Sequence, residues 1–213
     1  MQEILAEGIE KLGIPFERSH TDRLGLYIEE IERWNRRINL VRANRQELII
    51  KHILDSLSGF PTLSRLDRKG SVADIGSGAG FPGIPLSLFM PDAHFTLIER
   101  SAKKAGFLHS CVNLLHLSNV RILERNLREI HETFDIVLFR AFARLSDRQM
   151  RLVERITHPD GVIASYKGRH EKIQEELGDN RHRYRSIVLI PLDVPFLNEE
   201  RHLVLLQIKN TIL

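Results

Sequence analysis

The chain has 213 residues, 42% of them hydrophobic and 28% charged, with a formal net charge of +3, enough apolar material for one sizeable core and near the upper limit of one ordinary domain. No uncharged apolar run is long enough to span a bilayer, and the first residues, MQEILAEGIEKLG, are acidic and amphipathic where an export signal would be basic and then apolar; a soluble, cytoplasmic chain is expected. The single cysteine, Cys111, excludes an internal disulfide framework and a Cys-rich metal site, and within FLHSCVNLLHL it reads as a buried small hydrophobe.

The first sixty or so residues read as helices. In TDRLGLYIEEIERWNRRINL the apolar positions Leu24, Ile28, Ile31, Trp34 and Ile38 recur every three or four residues, with Thr21 or Asp22 available as N-cap. Trp34 falls on this stripe, which favours a place in the core over a base-stacking role. A second stripe, Leu48, Ile49, Ile53 and Leu57, ends at Gly59 and Pro61. His52 and Asp55 share one turn of it, facing either a cleft or the core. The expected division is a helical segment over 1–64 and a second unit over 65–213.

From residue 71 the pattern changes to short β-rich runs at 71–75, 94–99, 120–123, 134–139 and 161–166, each followed by a helical or loop segment. Such alternation predicts an α/β fold with a parallel sheet covered on both faces. The last two runs, 186–192 and 202–209, have no helix between them and are expected to pair as an antiparallel hairpin. The whole is a mostly parallel seven-stranded sheet, Rossmann-like, with a terminal antiparallel hairpin and an N-terminal helical extension. Positive charge is concentrated after residue 100, at Arg121, Arg125, Arg128, Arg140, Arg144, Arg148, Arg151 and Arg155, which suits nucleic acid or a merely solvated face.

The strongest local signal is VADIGSGAGFPG, residues 72–83. A buried strand running into close-spaced glycines lets the backbone turn tightly and approach a ligand with no Cβ in the way. Gly78, Gly80 and Gly83 also satisfy G-x-G-x-x-G, so a dinucleotide has to be considered. Three features argue against it. Asp74 lies inside the strand just before Gly76, resembling the D-x-G-x-G-x-G first motif of methyltransferases. Pro82 and Pro85 push the following helix to a later start. A helical segment precedes the first strand, where dinucleotide domains usually begin. Together these favour S-adenosylmethionine. Glu99, closing the second β run, is placed to accept hydrogens from ribose hydroxyls. In this architecture the loop Arg125-Asn126-Leu127 would contact adenine and Arg140-Ala141-Phe142 would face the methyl group.

Motifs along the chain extend this. Trp34-Asn35 with Asn39-Leu40, His52-Ile53-Leu54-Asp55-Ser56, Phe81-Pro82-Gly83-Ile84-Pro85, Arg140-Ala141-Phe142-Ala143, Lys167-Gly168 and Glu200-Arg201-His202-Leu203 occur in one order and spacing. In these the chain resembles the bacterial small-subunit ribosomal RNA guanine-N7 methyltransferases, the glucose-inhibited division protein B family. The resemblance implies a class I methyltransferase fold and methylation of guanosine N7 in 16S rRNA. It implies cofactor contacts at Gly76, Phe81, Asn126, Leu127 and Arg140, beside Asp74, Gly78, Gly80 and Glu99 from the loop reading. The chain departs from the family at Asn126-Leu127, where many relatives place a small residue followed by an acid; here the nearest acid is Glu129.

Methyl transfer from a sulfonium is an in-line displacement, in which alignment alone can supply roughly 7–11 kcal/mol. Methylation at cytosine C5 needs a cysteine nucleophile on a loop, and Cys111 falls in a predicted helix. Exocyclic amines are usually served by an Asn/Asp/Ser-Pro-Pro-aromatic loop, where this chain has Arg140-Ala141-Phe142. Guanine N7 has a lone pair and no proton, so it requires no base. Because N7 lies on an edge that A-form helices hide, the target guanosine should be looped or unstacked. Arg140 is the leading catalytic candidate, beside the methyl donor or at the guanine edge; its structural alternative is a salt bridge to an acid such as Asp135. Lys167, Arg169, Arg201 and His202 are candidate RNA contacts or solvated basic residues. No metal is expected, and the chain is taken as a monomer acting on small-subunit rRNA or the small ribosomal subunit. The rivals are a methyltransferase with a protein or small-molecule acceptor, a nicotinamide-dependent oxidoreductase and a non-catalytic RNA-binding module.

Overall fold

A computed structural model describes residues 2–67, 70–142, 144 and 148–209. Ala143, in the Arg140–Ala143 motif, lies outside the described residues. Helices α1 (Gln2–Lys11) and α2 (Arg18–Asn35) come first. Leu24, Ile28 and Ile31 of α2 are fully buried, each contributing roughly 1.5–3 kcal/mol relative to an exposed position. The helix starts earlier than the sequence suggests. Glu17 is the N-cap, with its N–H donating to His20 Nδ1 at 3.1 Å. Thr21 is an interior residue whose hydroxyl donates back to the Arg18 carbonyl at 2.8 Å, the local bond that lets a threonine sit inside a helix. Ile38 falls beyond the end of α2, because Asn35 turns the chain: its Oδ1 accepts from the N–H groups of Leu40 and Val41, and its Nδ2 donates to the Val41 carbonyl.

The second helical stretch is not a uniform α-helix. Short α3 (Arg45–Glu47), capped by Asn44, runs into a π-helical segment, Leu48–Leu54, then into α4 (Asp55–Ser58) and α5 (Phe60–Leu63). Pro61 stands in the first turn of α5, where its missing N–H costs nothing, so the helical region continues for one turn past Gly59. The remaining elements are β1 (Ser71–Ile75), α6 (Gly83–Phe89), β2 (His94–Ile98), α7 (Ala102–Leu114), β3 (Val120–Leu123) and β4 (Phe134–Arg140). They are followed by α8 (Met150–Arg155), β5 (Thr157–Lys167), α9 (His170–Leu177), β6 (Tyr184–Pro191) and β7 (His202–Ile208).

One sheet takes the order β3-β2-β1-β4-β5-β7-β6, with β1–β5 parallel and β7 antiparallel to both β5 and β6. Strand β5 begins four residues before the expected Gly161, because Thr157 pairs with Phe134 and the register then shifts at a bulge. At Gly161 a Cβ would lie 2.8 Å from the Asp135 carbonyl oxygen and 2.9 Å from that of His158, so the glycine marks close backbone approach within the strand rather than its start. Period-two alternation divides the sheet. Val72, Phe95, Leu97, Ile136 and Leu138 join Leu5, Leu24, Ile31, Ile53 and Phe107 in one apolar cluster, whereas Ala73, Ile75, Ile98, Val137 and Phe139 join Met150, Val153 and Ile173 in a second. The N-terminal helices therefore share a core with one face of the sheet.

A polar knot secures α2 to α7. Glu30, 5% exposed, accepts from Arg33 Nε at 2.7 Å, Trp34 Nε1 at 2.7 Å and Ser110 Oγ at 2.6 Å, while the Trp34 ring stands edge-on to Phe107. Trp34 thus belongs to this packing. The Arg33 hydrogen bond, with those of Ser110 and Trp34, outweighs burial and lowers the Glu30 carboxyl to about 2. A depressed acid stabilises the fold fully above its unfolded value, and that contribution is lost as pH falls toward about 2. Glu30→Gln is expected to lower stability by about 1–3 kcal/mol at pH 7, with the gap to wild type narrowing at pH 3. Urea unfolding at the two pH values measures it, and a gap independent of pH would contradict the assignment.

Candidate active site

The carboxyl ends of β1–β4 meet at the point where the strand order reverses, between β1 and β4, the usual ligand crevice of an open α/β sheet. A cavity of about 530 Å³ lies there, lined by Gly76 after β1, Glu99 after β2, Asn126 and Leu127 after β3, and Phe142 after β4. Gly76, Gly78 and Gly80 have φ of 67°, 55° and 89°, left-handed values that favour glycine. The peptide bond between Phe81 and Pro82 is cis, and α6 starts only at Gly83, after the prolyl turn as expected.

Two acids hold this loop. Glu99, 7% exposed, accepts from the Gly78 N–H at 3.0 Å through Oε2 and from the Ser101 N–H at 2.8 Å through Oε1, and still lines the cavity. Asp74 is fully buried beneath the loop, where Oδ2 accepts from the Gly83 N–H at 3.1 Å. Burial, opposed by that hydrogen bond, pushes the Asp74 carboxyl up to about 7, and its Oδ1 has no hydrogen-bond partner. From the other side, the buried Tyr27 of α2 donates its hydroxyl to the Ala79 carbonyl. The N-terminal helices therefore help to shape the glycine loop, a support not visible in any local motif.

The departure at Asn126-Leu127 has a structural account. Asn126 caps a short 3-10 turn, Leu127–Glu129: its Oδ1 accepts from the Arg128 N–H at 3.1 Å, and Glu129 Oε2 accepts from the Asn126 N–H at 3.2 Å. Leu127 is 6% exposed and packs into the core. Arg155 donates to the carbonyls of Leu127, Arg128 and Ile130, each at 3.0 Å. The nearest acid, Glu129, serves the turn itself, and Arg155 acts as a brace for it.

A second cavity, of about 490 Å³, lies beyond the end of β4 and is lined by Lys51, His52, Asp55, Arg140, Lys167 and Arg201, with Ala141, Tyr166 and Gly168. Ala141 separates the two cavities. Its φ of 53°, uncommon for a residue with a Cβ and often found at functional positions, sits between Arg140 in the second cavity and Phe142 in the first. Arg140 Nη1 donates to Asp55 Oδ2 at 3.0 Å and to the Lys51 carbonyl at 3.1 Å; Nη2 lies 2.6 Å from His52 Nδ1. Its partner is Asp55, not Asp135, which instead accepts from Ser71 Oγ at 2.7 Å at the opposite end of β4. The Arg140 guanidinium also sits 5.2 Å from the Phe81 ring centroid, and His52 stacks on the same ring at 5.1 Å. Burial, with Arg140 beside it, pushes the His52 imidazole down to about 4; the ring is neutral at pH 7, and Nδ1 is the acceptor because a guanidinium only donates.

A family model described as rRNA small subunit methyltransferase G matches residues 20–204. The chain is 35% identical over 209 residues to the ribosomal RNA small subunit methyltransferase G of Nitrosococcus oceani, covering 97% of this chain and 94% of that protein. To the protein of the same name from Treponema pallidum it is 39% identical over 184 residues, covering 84% and 81%. The chain belongs to the rRNA small subunit methyltransferase G family. Among solved structures, a SAM-dependent methyltransferase from Aquifex aeolicus aligns with a TM-score of 0.57 at 18% identity, covering 85% of this chain and 98% of that one. A ribosomal protein L11 methylase from Lactobacillus delbrueckii subsp. bulgaricus also gives 0.57, at 17% identity, covering 80% and 83%. These two likenesses establish the Rossmann-like methyltransferase fold.

Matched residues 20–204 run from α2 into β7, so the family match includes both cavities as well as the sheet. Of the predicted cofactor residues, Gly76, Glu99, Asn126 and Leu127 line the first cavity. Gly78, Gly80 and Phe81 build the loop beside it, Asp74 of β1 is buried beneath that loop, and Arg140 faces the second cavity. Lys167 and Arg201 line the second cavity, with Lys167 paired to Glu176 at 2.6 Å. Arg169 is exposed outside both. His202 is 7% exposed, its Nδ1 2.8 Å from the Gly168 carbonyl, so it supports the turn after β5 from beneath. Sequence reasoning missed Lys51 and Tyr166; the hydroxyl of Tyr166 donates to the Ser56 carbonyl at 2.7 Å, tying β5 to α4. Cys111 is fully buried in α7. Among the described residues no helix is long and apolar enough to cross a membrane, and no group of three or more His, Cys, Asp or Glu is placed to hold a metal ion.

Proposed function

We propose that the chain transfers the methyl group of S-adenosylmethionine to N7 of a guanosine in small-subunit rRNA. The observation that carries this reading is the pair of cavities meeting at Arg140-Ala141-Phe142. One is formed by a glycine loop and an acid at the ends of β1 and β2; the other is walled by cationic side chains. The residues of the first cavity fit the cofactor: positive-φ glycines allow close approach, Glu99 offers an acceptor for ribose hydroxyls, and the Asn126-Leu127 turn walls the cavity where the adenine would lie. When bound, the cofactor supplies an electrophilic methyl group on a sulfonium. The chain's own part is alignment. Phe142 packs against Gly76, where a Cβ would lie 2.8 Å from its Cδ2, and closes the cofactor side of the Ala141 turn.

The second cavity suits a nucleophile that has no proton to lose. His52 Nδ1 is engaged by Arg140, and Asp55 is paired with Arg140 and Arg201, so neither is poised as a base. Guanine N7 requires none. Arg140 and Arg201 are donors suited to guanine O6 or to flanking phosphates, leaving N7 free for attack. Binding is then expected to weaken with added salt. Incubation with S-adenosylmethionine and unmodified small-subunit rRNA or subunits, digestion to nucleosides and mass spectrometry should reveal a stoichiometric rise in 7-methylguanosine. Cofactor binding with no methylated nucleoside in RNA or particles would move the acceptor to a protein or small molecule.

A further inference from the structure

The reading above leaves Asp55 without a role, although its place is unusual. It opens α4 directly after the π-helical segment, is 2% exposed, and lies between two guanidiniums from distant parts of the chain. Arg140 donates to Oδ2 at 3.0 Å. Arg201 Nε lies 3.2 Å from Oδ1, an ion pair without an aligned hydrogen bond. Wide π turns are rare and recur at functional sites; this one leaves the Lys51 carbonyl within reach of Arg140 and delivers His52 and Asp55 to the same cavity wall.

The two arginines depend on Asp55 unequally. Arg140 has other anchors in the Lys51 carbonyl, His52 Nδ1 and the Phe81 ring. The remaining side-chain hydrogen bonds of Arg201 among the described residues go to Glu199 Oε2 at 2.9 Å and the Glu200 carbonyl at 3.1 Å, both in its own turn, so they move with it and tie the guanidinium to nothing across the cavity. Resting on the reading of the second cavity as the acceptor site, we propose that Asp55 is a positioning residue whose carboxylate draws Arg201 from the turn before β7 onto the acceptor wall beside Arg140. Without that charge Arg201 keeps only Glu199 and the Glu200 carbonyl of its own turn and withdraws, and the acceptor loses a donor at its edge.

The test is a double-mutant cycle on the full chain: wild type, D55N, R201Q and the double variant, each assayed for kcat and KM with small-subunit rRNA, for cofactor binding by calorimetry and for Tm. D55N and R201Q are each expected to lower kcat/KM for RNA by about 10–100-fold, the size of one charge-assisted hydrogen bond. The double variant should be no worse than the weaker single variant by more than about threefold, because both changes remove one interaction. Cofactor affinity should stay within about twofold of wild type. Losses that multiply in the double variant, or a D55N protein with normal kcat/KM, would overturn the proposal. So would a D55N whose cofactor affinity falls in step with its activity, the mark of a merely structural role. If D55N does not fold, D55E takes its place: it keeps the charge and shifts the carboxylate by one methylene. It should show the same non-additivity with R201Q in a smaller loss, and an additive result overturns the proposal equally. If the wild-type protein makes no 7-methylguanosine, the acceptor reading fails by itself, and filter retention of the same RNA by the same proteins still decides whether Asp55 and Arg201 act together.

Discussion

Replacement of Arg140 by alanine is expected to lower methylation by about 10–150-fold. The guanidinium joins the carboxylate of Asp55, the Lys51 carbonyl, the His52 ring and the face of Phe81, so one side chain connects the tail of the glycine loop to the second cavity. Loss of a charge-assisted hydrogen bond costs roughly 1.5–3 kcal/mol, and each 1.36 kcal/mol is a factor of about ten in rate. The ion pair with Asp55 also gives Arg140 a part in stability. Removing one partner of a buried pair costs about 3–5 kcal/mol. Arg140 retains 20% side-chain exposure and Arg201 remains beside Asp55, so a cost of about 1–3 kcal/mol is expected after discounting for solvent. Arg140→Lys keeps the charge but not the planar fork, and should recover stability better than turnover. Turnover and Tm measured on both variants separate the two effects; wild-type turnover in Arg140→Ala would remove this residue from the mechanism.

The second large effect is expected at Gly78. Its φ of 55° lies in the left-handed region, which costs an L-residue about 1–2 kcal/mol and a β-branched one more. A Cβ there would meet only the Gly76 carbonyl oxygen, at 3.6 Å, so the obstacle is backbone conformation rather than a packed wall. If Gly78→Val relaxes by leaving positive φ, its N–H rotates away from Glu99 Oε2, 3.0 Å away in the native loop, and the Glu99 carboxylate loses its anchor at the loop. Either the backbone strain of about 1–2 kcal/mol, more for a β-branched residue, or the lost charge-assisted bond of about 1.5–3 kcal/mol is incurred, and cofactor binding is expected to weaken by about 10–100-fold. Calorimetric titration with S-adenosylmethionine decides this. An unchanged Kd would mean that the loop tolerates a different backbone path and that Glu99 does not depend on Gly78.

Local chemistry made much of this legible in advance. The β runs are found within a few residues of their expected places because alternating apolar patterns need no tertiary context. The glycine loop, the late start of α6 and the acid at the end of β2 were readable for the same reason: glycine, proline and a strand-terminal carboxylate have narrow uses. The errors fell where local rules compete. Thr21 was a good N-cap by type, yet Glu17 and His20 settle the start of α2. The stripe Leu48, Ile49, Ile53 and Leu57 fits an α-helix, and periodicity over so few residues does not distinguish one wide turn from α geometry. The fifth β run was expected over 161–166, whereas β5 begins at Thr157 and carries a bulge before Val162.

Taken alone, the sequence determined the order and kind of the elements, the parallel sheet with its final antiparallel hairpin, and the glycine loop after the first strand, since each follows from residues close together along the chain. The tertiary structure alone decided the partners of the functional side chains. Arg140 meets Asp55 and His52 across 85 and 88 residues, Tyr27 supports Ala79 across 52, and Arg201 reaches the same carboxylate from the turn before β7. Such contacts leave no periodic trace. A charged side chain takes whichever buried opposite charge the packed elements bring within about 4 Å, and that choice exists only once the helices of the first sixty residues have closed over one face of the sheet.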